Sequence, residues 1–203
     1  MKTTIMATMI GALALTGCLS TNSYVDPKFS AIDYTDITAV DGNAVVFVEF
    51  QRNGKPFKRA QKVAETAVVQ ALENAGYTVV EDGTDGPVIK VVVNNVADIG
   101  QAAGQGFGTG LTLGLAGTAV SDFYEISASY SDGTVTFEQD YEHAIHTTIG
   151  NKKAPIENVA ATNPQNAFDA VIEDVILQFL SDVQASQAGT PVAQAVFVPR
   201  YAG

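Results

Sequence analysis

This 203-residue sequence has one cysteine, no tryptophan and two histidines. A single cysteine cannot form an intramolecular disulfide, which excludes a small domain held together by disulfides. The absence of tryptophan, in a chain with 8% aromatic residues, disfavours a carbohydrate site built on ring stacking, although Tyr and Phe could still serve. Basic residues are also scarce, with 11 Lys and Arg against 22 Asp and Glu and a formal net charge of −11. Such an acidic chain lacks the basic footprint expected of a nucleic-acid-binding protein.

The sequence motifs of nucleotide binding and of common hydrolases are missing as well. A dinucleotide fingerprint needs glycine at its first, third and sixth positions, and counting from Gly104 or Gly106 reaches Thr109 or Leu111 at the sixth. The chain has neither the Gly-Lys-Ser/Thr of a phosphate-binding loop nor the Gly-x-Ser-x-Gly of a hydrolase elbow. We therefore predict a non-enzymatic protein that uses no nucleotide and no cofactor.

The two histidines, His143 and His146, are spaced as a pair of metal ligands would be on a helix. The surrounding pattern predicts a strand, however, and residues three apart on a strand point to opposite faces. We therefore predict no metal site at this pair. The acidic run formed by Glu81, Asp82 and Asp85 lacks the spacing of a calcium loop, so we expect a solvated turn there.

The chain begins with a segment typical of secreted bacterial proteins. Residues 5–15 form an apolar stretch as long as the core of a secretory signal and too short to span a bilayer as a helix. The four residues Leu15-Thr16-Gly17-Cys18 resemble the lipobox of bacterial lipoproteins. The resemblance implies that a dedicated peptidase recognises Leu15, Thr16 and Gly17 and cuts before Cys18, which then carries the lipid. The alternative is an ordinary signal peptide followed by a buried free cysteine.

The same resemblance implies a location. Residues 1–17 would be removed as a signal peptide, and Leu19 after the cysteine, in place of aspartate, favours export to the outer membrane. The protein would then face the periplasm, held by several acyl chains, since one chain alone binds membranes only marginally. Because the rest of the chain is acidic, we expect the lipid anchor, and not the protein surface, to hold the domain to an anionic membrane.

Two amphipathic helices are predicted in the rest of the chain. Apolar residues recur at three- and four-residue steps between Pro56 and Gly76, where proline suits a first turn and glycine suits a C-terminal stop. A second apolar stripe begins at Pro164, with Asn163 as its N-cap, and continues to Val183.

Strands are predicted around these helices. Apolar runs indicate strands at residues 44–50, 77–80 and from 88 onwards. Asp132-Gly133 is the favoured pair for a two-residue hairpin turn, which would place Tyr130 opposite Val135. The order of elements predicts an α/β (α+β) fold, a two-layer sandwich in which two helices pack on a mixed sheet of about four to six strands.

These elements define a single domain at residues 41–185, between a lipidated N-terminus with a tether at 18–40 and a C-terminal tail at 186–203. Element order and lipobox together are similar to those of small periplasmic domains in bacterial outer-membrane lipoproteins, such as the curli-secretion lipoprotein and the penicillin-binding-protein activator lipoprotein. The similarity implies a protein-interaction role in envelope assembly or maintenance. The partners would be an envelope protein and, through the lipid, the membrane.

The most unusual stretch is the glycine-rich segment 99–121, which has 23 residues, seven of them glycine, and no charge. Gly106, Gly110 and Gly114 repeat every four residues, a spacing that lets helices approach closely in a membrane. Three interpretations stay open: a connection between two strands, a protein-contact surface, or a membrane hairpin. The last would make the chain a subunit of an oligomeric export channel, which is our alternative function.

The one basic cluster lies at the start of the first predicted helix and contains Lys55, Lys58, Arg59 and Lys62. Spacings of three and four place most of these side chains on one flank, near a helix N-terminus where positive charge is unfavourable. Lys58, Arg59 and Lys62 therefore join the three glycines as candidate contact residues. The alternative is a solvated flank without a partner.

Overall fold

The computed structural model describes residues 20–27, 32–83, 85–97 and 117–189. Its strands are β1 (Thr21–Val25), β2 (Gly42–Arg52), β3 (Lys55–Pro56), β4 (Tyr77–Val80), β5 (Val88–Ala97), β6 (Thr118–Ser131) and β7 (Thr136–Ile149). Its helices are α1 (Lys58–Asn74) and α2 (Pro164–Gln187), and a 3-10 turn covers Tyr34–Asp36. Within these ranges, no helix is both long and apolar enough to cross a bilayer.

The seven strands form one mixed sheet in the order β1-β7-β6-β5-β2, with β4 and β3 sharing the outer edge of β2. β2 runs parallel to β5 and β4, and the other neighbouring pairs are antiparallel. The helices pack on each other and on one face of the sheet, where alternate residues of β5, Ile89, Val91 and Val93, join the core. The predicted α/β class, with two helices on a mixed sheet, is confirmed, although the sheet of the described residues has seven strands in place of about four to six.

Small residues at three- and four-residue spacing form the buried face of α1: Ala64, Ala67, Val68, Ala71 and Leu72. The helix begins at Lys58, two residues later than Pro56, because Pro56 pairs with Gln51 in β3. It ends before Gly76, as predicted. Gly76 has a φ of +105° and lies so close to the Val40 carbonyl that a Cβ atom there would overlap it, so both backbone conformation and space require glycine.

The predicted start of α2 is confirmed. The Asn163 side chain accepts a hydrogen bond from the Asn166 N–H at 2.8 Å, and Pro164 takes the first helical position. The helix continues to Gln187, four residues past Val183. Its last turn therefore includes residues 186 and 187, which the sequence predicts to be part of the C-terminal tail.

The β6–β7 hairpin differs from its predicted register by two residues. Ser131 pairs with Thr136, so four residues form the turn in place of two. The Asp132 side chain explains the longer turn, because its Oδ1 accepts hydrogen bonds from the N–H groups of Thr134 and Val135 at 2.9 and 2.8 Å. A shift of two residues keeps every side chain on its predicted face of the sheet.

The predicted tether at 18–40 is wrong over residues 21–25, which form the edge strand β1. These five residues pair antiparallel with Ile145–Ile149 of β7. Ser23 also exchanges two backbone hydrogen bonds with Thr162, at 2.8 and 2.9 Å, which covers the outer side of this strand at its middle residue. The strand was missed because it is short and polar, as edge strands commonly are. The folded domain therefore begins about twenty residues earlier than residue 41.

Candidate functional site

The outer edge of β2 is only partly covered. β4 pairs with its first residues, Gly42–Val45, and β3 with its last two, Gln51 and Arg52. Between them, no strand in the described part of the chain pairs with residues 46–50 on that side. A strand edge of this kind presents backbone N–H and C=O groups to an incoming chain.

The side chain of Gln61, in the first turns of α1, reaches this edge. Its Nε2 donates to the Val48 carbonyl at 2.7 Å, and its Oε1 accepts from the Phe50 N–H at 2.9 Å. The amide thereby takes the place of one residue of a neighbouring strand. Nε2 also donates to Glu65 Oε1 at 3.0 Å, which fixes the orientation of the amide. Since backbone groups alternate sides along a strand, those of Val46 face the same edge.

A groove with a volume of about 490 Å³ lies between this edge and α1. Phe47 is part of it, with 55% of its surface exposed, more than any other large hydrophobic residue in the described ranges. We refer to the lining residues as the β2 edge groove: Val46, Phe47, Val48, Lys62, Glu65, Thr66, Val69, Gln70 and Glu73. Its strand side is apolar and its helix side is mostly polar and charged, a mixture found in protein-contact surfaces.

The basic residues predicted as contact candidates lie at one end of this groove. Lys62 is part of its lining, and Lys58 and Arg59 occupy the first turn of α1. That turn contains no acidic residue, and the N-cap Phe57 makes no side-chain capping bond. The structure adds Arg52, whose guanidinium lies 5.8 Å from the centre of the Phe57 ring. Helical spacing did not reveal Arg52, because it belongs to β2 and approaches α1 through the turn into β3.

The two histidines lie on opposite faces of β7, as predicted. His143 is buried against α2, where its Nε2 donates to Asp174 Oδ2 at 3.1 Å. Its Nδ1 accepts from the Ala144 N–H at 2.9 Å, which assigns the ring proton to Nε2. The pair links the sheet to the second helix across the core.

On the other face, His146 lies between a serine and an aspartate. Ser121 Oγ is 2.8 Å from its Nδ1, and Asp26 Oδ2 is 3.6 Å from its Nε2. A hydrolase triad has the reverse arrangement, with the carboxylate at Nδ1 and the serine at Nε2. The three residues come from β6, β7 and the end of β1, so sequence spacing does not reveal the cluster. Their contacts tie the edge strand β1 to the sheet.

In residues 20–27, 32–83, 85–97 and 117–189, no group of three or more His, Cys, Asp and Glu side chains is arranged to hold a metal ion.

Several predicted site residues fall outside the described ranges: Leu15, Thr16, Gly17, Cys18, Gly106, Gly110 and Gly114. The glycine-rich segment is also shorter than predicted, because residues 118–121 form the start of β6 and pair with β7. A membrane hairpin over the whole of 99–121 would have to break these pairs. The export-channel interpretation therefore has no support from residues 118–121.

No protein-family model and no curated protein sequence matches this chain. Solved structures with weak similarity include a neuraminyllactose-binding hemagglutinin homolog from Helicobacter pylori, with a TM-score of 0.37 and 11% identity, covering 73% of this chain and 86% of that chain. A PelC dodecamer from Paraburkholderia phytofirmans has a TM-score of 0.30 and 10% identity, and the match covers 80% of this chain and 98% of that chain. Rare lipoprotein B from Shewanella oneidensis has a TM-score of 0.28 and 10% identity, and the match covers 70% of this chain and 93% of that chain. One weakly similar structure is thus a lipoprotein, and TM-scores this low carry no argument about function.

Proposed function

We propose that this chain is an outer-membrane lipoprotein that acts by protein contact in the periplasm and not by catalysis. The observation that carries the proposal is the β2 edge groove, which combines a strand edge that no described strand pairs with at residues 46–50, an exposed phenylalanine and charged helix side chains. An exposed apolar residue beside an incomplete strand edge is a feature of surfaces that bind other proteins.

The chemistry of the groove favours an extended segment of an envelope protein as its occupant. Gln61 bonds the Val48 carbonyl and the Phe50 N–H, and the Phe57 N–H donates to the Phe50 carbonyl at 2.8 Å, so an incoming strand would pair beside Val46 and the Val48 N–H or displace the Gln61 amide. Phe47 offers an apolar contact beside these groups. Lys62, which lines the groove, favours a segment with a carboxylate next to its apolar residues. The paired segment is short, because β4 and β3 close the edge on either side.

Anchorage through Cys18 is supported by the leader sequence, and it would place the lipid three residues before Thr21, the first residue of β1. Cys18→Ser should abolish fatty-acid labelling of the protein and release it from the outer-membrane fraction. Labelling that persists in this variant would contradict the anchor.

Photo-crosslinking in cells tests the groove. Benzoyl-phenylalanine in place of Phe47 keeps an aromatic ring at this position and should give one discrete adduct, whose partner is identified by mass spectrometry. Glu138 is exposed on β7, three strands away in the same row of the sheet, and provides the matched control. The same label at Glu138 should give no such adduct.

The identified partner then allows a quantitative test. Phe47→Ser should weaken its binding by about tenfold or more, because truncating a central aromatic contact typically costs upwards of 1.4 kcal/mol. Glu138→Gln should leave the affinity unchanged. Equal affinities for the Phe47→Ser variant and the native protein would exclude the groove as the binding site.

A further inference from the structure

At one end of the sheet lies the start of β1, the strand that follows the lipobox in the sequence, together with the termini of other strands. Thr21, at the start of β1, pairs with Ile149 at the end of β7, which also pairs with Thr118 at the start of β6. β5 also ends at this side, because its last residue, Ala97, pairs with a residue near the start of β6. β2 ends there as well, because its last residue, Arg52, pairs with a residue near the end of β5. We call this side of the domain the anchor end.

Six of the eight Lys and Arg residues that the structure describes are exposed at the anchor end: Arg52, Lys55, Lys58, Arg59, Lys152 and Lys153. The first four belong to the β2–β3 turn and to the first turn of α1. The last two follow β7, where the backbone of Lys152 packs against Gly117 and the Gly150 N–H donates to the Ser20 carbonyl at 2.9 Å. With three strand spacings between β2 and β7, the two groups lie roughly 14 Å apart.

Acidic residues are almost absent from these segments. Residues 50–64 contain five basic residues and no acidic one, and residues 150–163 contain a single acid, Glu157. The opposite end of the sheet carries the reverse charge, in the segments next to β2, β4 and the hairpin turn: Asp41, Glu81, Asp82, Asp85 and Asp132. Asp122 also lies at the anchor end, where it pairs with Ala97, but it is half-buried and accepts a hydrogen bond from the Asn95 side chain at 3.3 Å. The exposed side chains of the described residues are therefore mainly basic at the anchor end and mainly acidic at the opposite end, a difference that the net charge of −11 conceals.

The position of the lipobox cysteine keeps the anchor end close to any membrane that holds it. Cys18 lies three residues before Thr21, and three fully extended residues span at most about 11 Å. Attraction to a charged surface acts over roughly one Debye length, about 8–10 Å at physiological ionic strength. A lipid on Cys18 therefore holds the start of β1, and with it Lys152 and Lys153 after the neighbouring strand β7, within the range in which headgroup charge acts. The basic residues beside β2 lie four strand spacings, roughly 19 Å, from β1 and come within this range when the strands point toward the bilayer.

We propose that the anchor end binds anionic phospholipid headgroups beside the protein's own lipid, a contact that rests on the proposed anchorage through Cys18. The lipid holds the domain at the surface, and the six basic residues orient it, so that the strands point toward the bilayer and the acidic end points away. Anionic headgroups also offset the unfavourable position of Lys58 and Arg59 at the N-terminus of α1. In this orientation the β2 edge groove lies on the flank of the domain, open to other proteins.

Lysine footprinting on vesicles tests the orientation without any substitution. Cys18 is the only cysteine in the chain, so residues 18–203, which contain every described element, can be coupled through it to a maleimide lipid. Vesicles of phosphatidylcholine alone are compared with vesicles that also contain phosphatidylglycerol. Amine acetylation, read by mass spectrometry, should become several-fold slower at Lys55, Lys58, Lys152 and Lys153 on the anionic vesicles only. Lys90, exposed in the middle of the sheet on the face away from the helices, is the internal control and should react equally on both.

High salt should remove the protection, because the contact is electrostatic. Equal reactivity of the four lysines on both vesicle types would overturn the proposal and would leave the anchor end as a surface for an acidic protein. Protection of Lys90 to the same extent would also overturn it, since the domain would then lie on its sheet face. Chemical coupling keeps this test separate from the fatty-acid labelling of Cys18→Ser, so either result stands without the other.

Discussion

Several tyrosine side chains bring a hydroxyl group into the core of the domain. The Tyr141 hydroxyl donates to Asp182 Oδ2 at 2.8 Å, and burial, followed by that carboxylate, raises the pKa of Tyr141 far above its usual value. At Tyr77 burial is again the largest cause of the shift, with smaller contributions from Tyr130 and Asp132, and the pKa is raised to about 12. These side chains are therefore accommodated in their neutral form.

We predict that the domain loses stability between about pH 10 and about pH 12. Tyrosine in an unfolded chain titrates near pH 10, whereas folded Tyr77 keeps its proton to about pH 12. The folded state thus binds more protons in this window, so the contribution of Tyr77 is complete below pH 10 and is lost as the pH rises through about 12. The loss from this one residue amounts to at most about 2–3 kcal/mol.

Urea unfolding across this pH range measures the effect. Tyr77→Phe should flatten the decline of the midpoint, although other buried tyrosines still contribute to it. Thr78→Ser, a conservative change at an exposed position of the same strand, should leave the decline as it is. An equally steep decline in Tyr77→Phe would contradict the assignment.

At the scale of secondary-structure elements, local signals were sufficient for the helices and insufficient for the edge strands. Asn163 and Gly76 mark helix ends because capping interactions act within a few residues of the chain. β1 and β3 are short, and β1 pairs with residues far along the chain, so no local pattern identifies it. The apolar run of β2 predicted a strand, but which part of its edge stays uncovered depends on where β4 and β3 stop. The β2 edge groove could therefore not be predicted from the sequence.

We predict that Gln61→Ala lowers the free energy of unfolding by about 1–2 kcal/mol, because the Val48 carbonyl and the Phe50 N–H lose their hydrogen-bonding partner. The same change opens the β2 edge, so self-association at high protein concentration should increase, as measured by light scattering. Gln70→Ala is the matched control, since its exposed amide bonds only Asn74 one turn away, and it should cost under about 0.5 kcal/mol. Indistinguishable urea midpoints for the two variants would count against this role of Gln61.

At the scale of the whole molecule, the distribution of charge matters more than its sum. The acidic composition led us to expect a protein surface that avoids anionic lipid. Residues 52–59 and 152–153 are far apart in the sequence, and only the pairing of β2, β5, β6 and β7 brings them to one end of the sheet. The basic end could therefore be recognised only once the strand order was known.

Lys58→Glu should have two effects on the molecule. An acidic side chain in the first turn of α1 interacts favourably with the helix dipole, so the free energy of unfolding should rise by about 0.3–1 kcal/mol. On vesicles containing phosphatidylglycerol, the same variant should reduce the protection of Lys55 and Lys152, because the anchor end loses positive charge. Both effects are measured on one preparation, by urea unfolding and by lysine footprinting.

Lys90→Glu is the control for that experiment, because it makes the same change in charge on the open face of the sheet, away from the anchor end. It should neither raise the free energy of unfolding nor change the protection of Lys55 and Lys152 from acetylation. A Lys58→Glu variant that keeps full protection would show that this residue does not meet the headgroups.

The pairing of β1 with β7 also determines how the domain responds to mechanical force. In the proposed anchorage, a pull on a lipid at Cys18 would enter the fold at Thr21 and, with the bilayer beyond the anchor end as we propose, would be directed along the axis of β1. Such a pull slides β1 against β7, so the five residue pairs from Thr21–Ile149 to Val25–Ile145 resist together and do not open one after another. The hydrogen bonds between Ser23 and Thr162 add resistance on the other side. The edge strand is thus loaded in shear, the direction in which a short ladder of hydrogen bonds resists tension best.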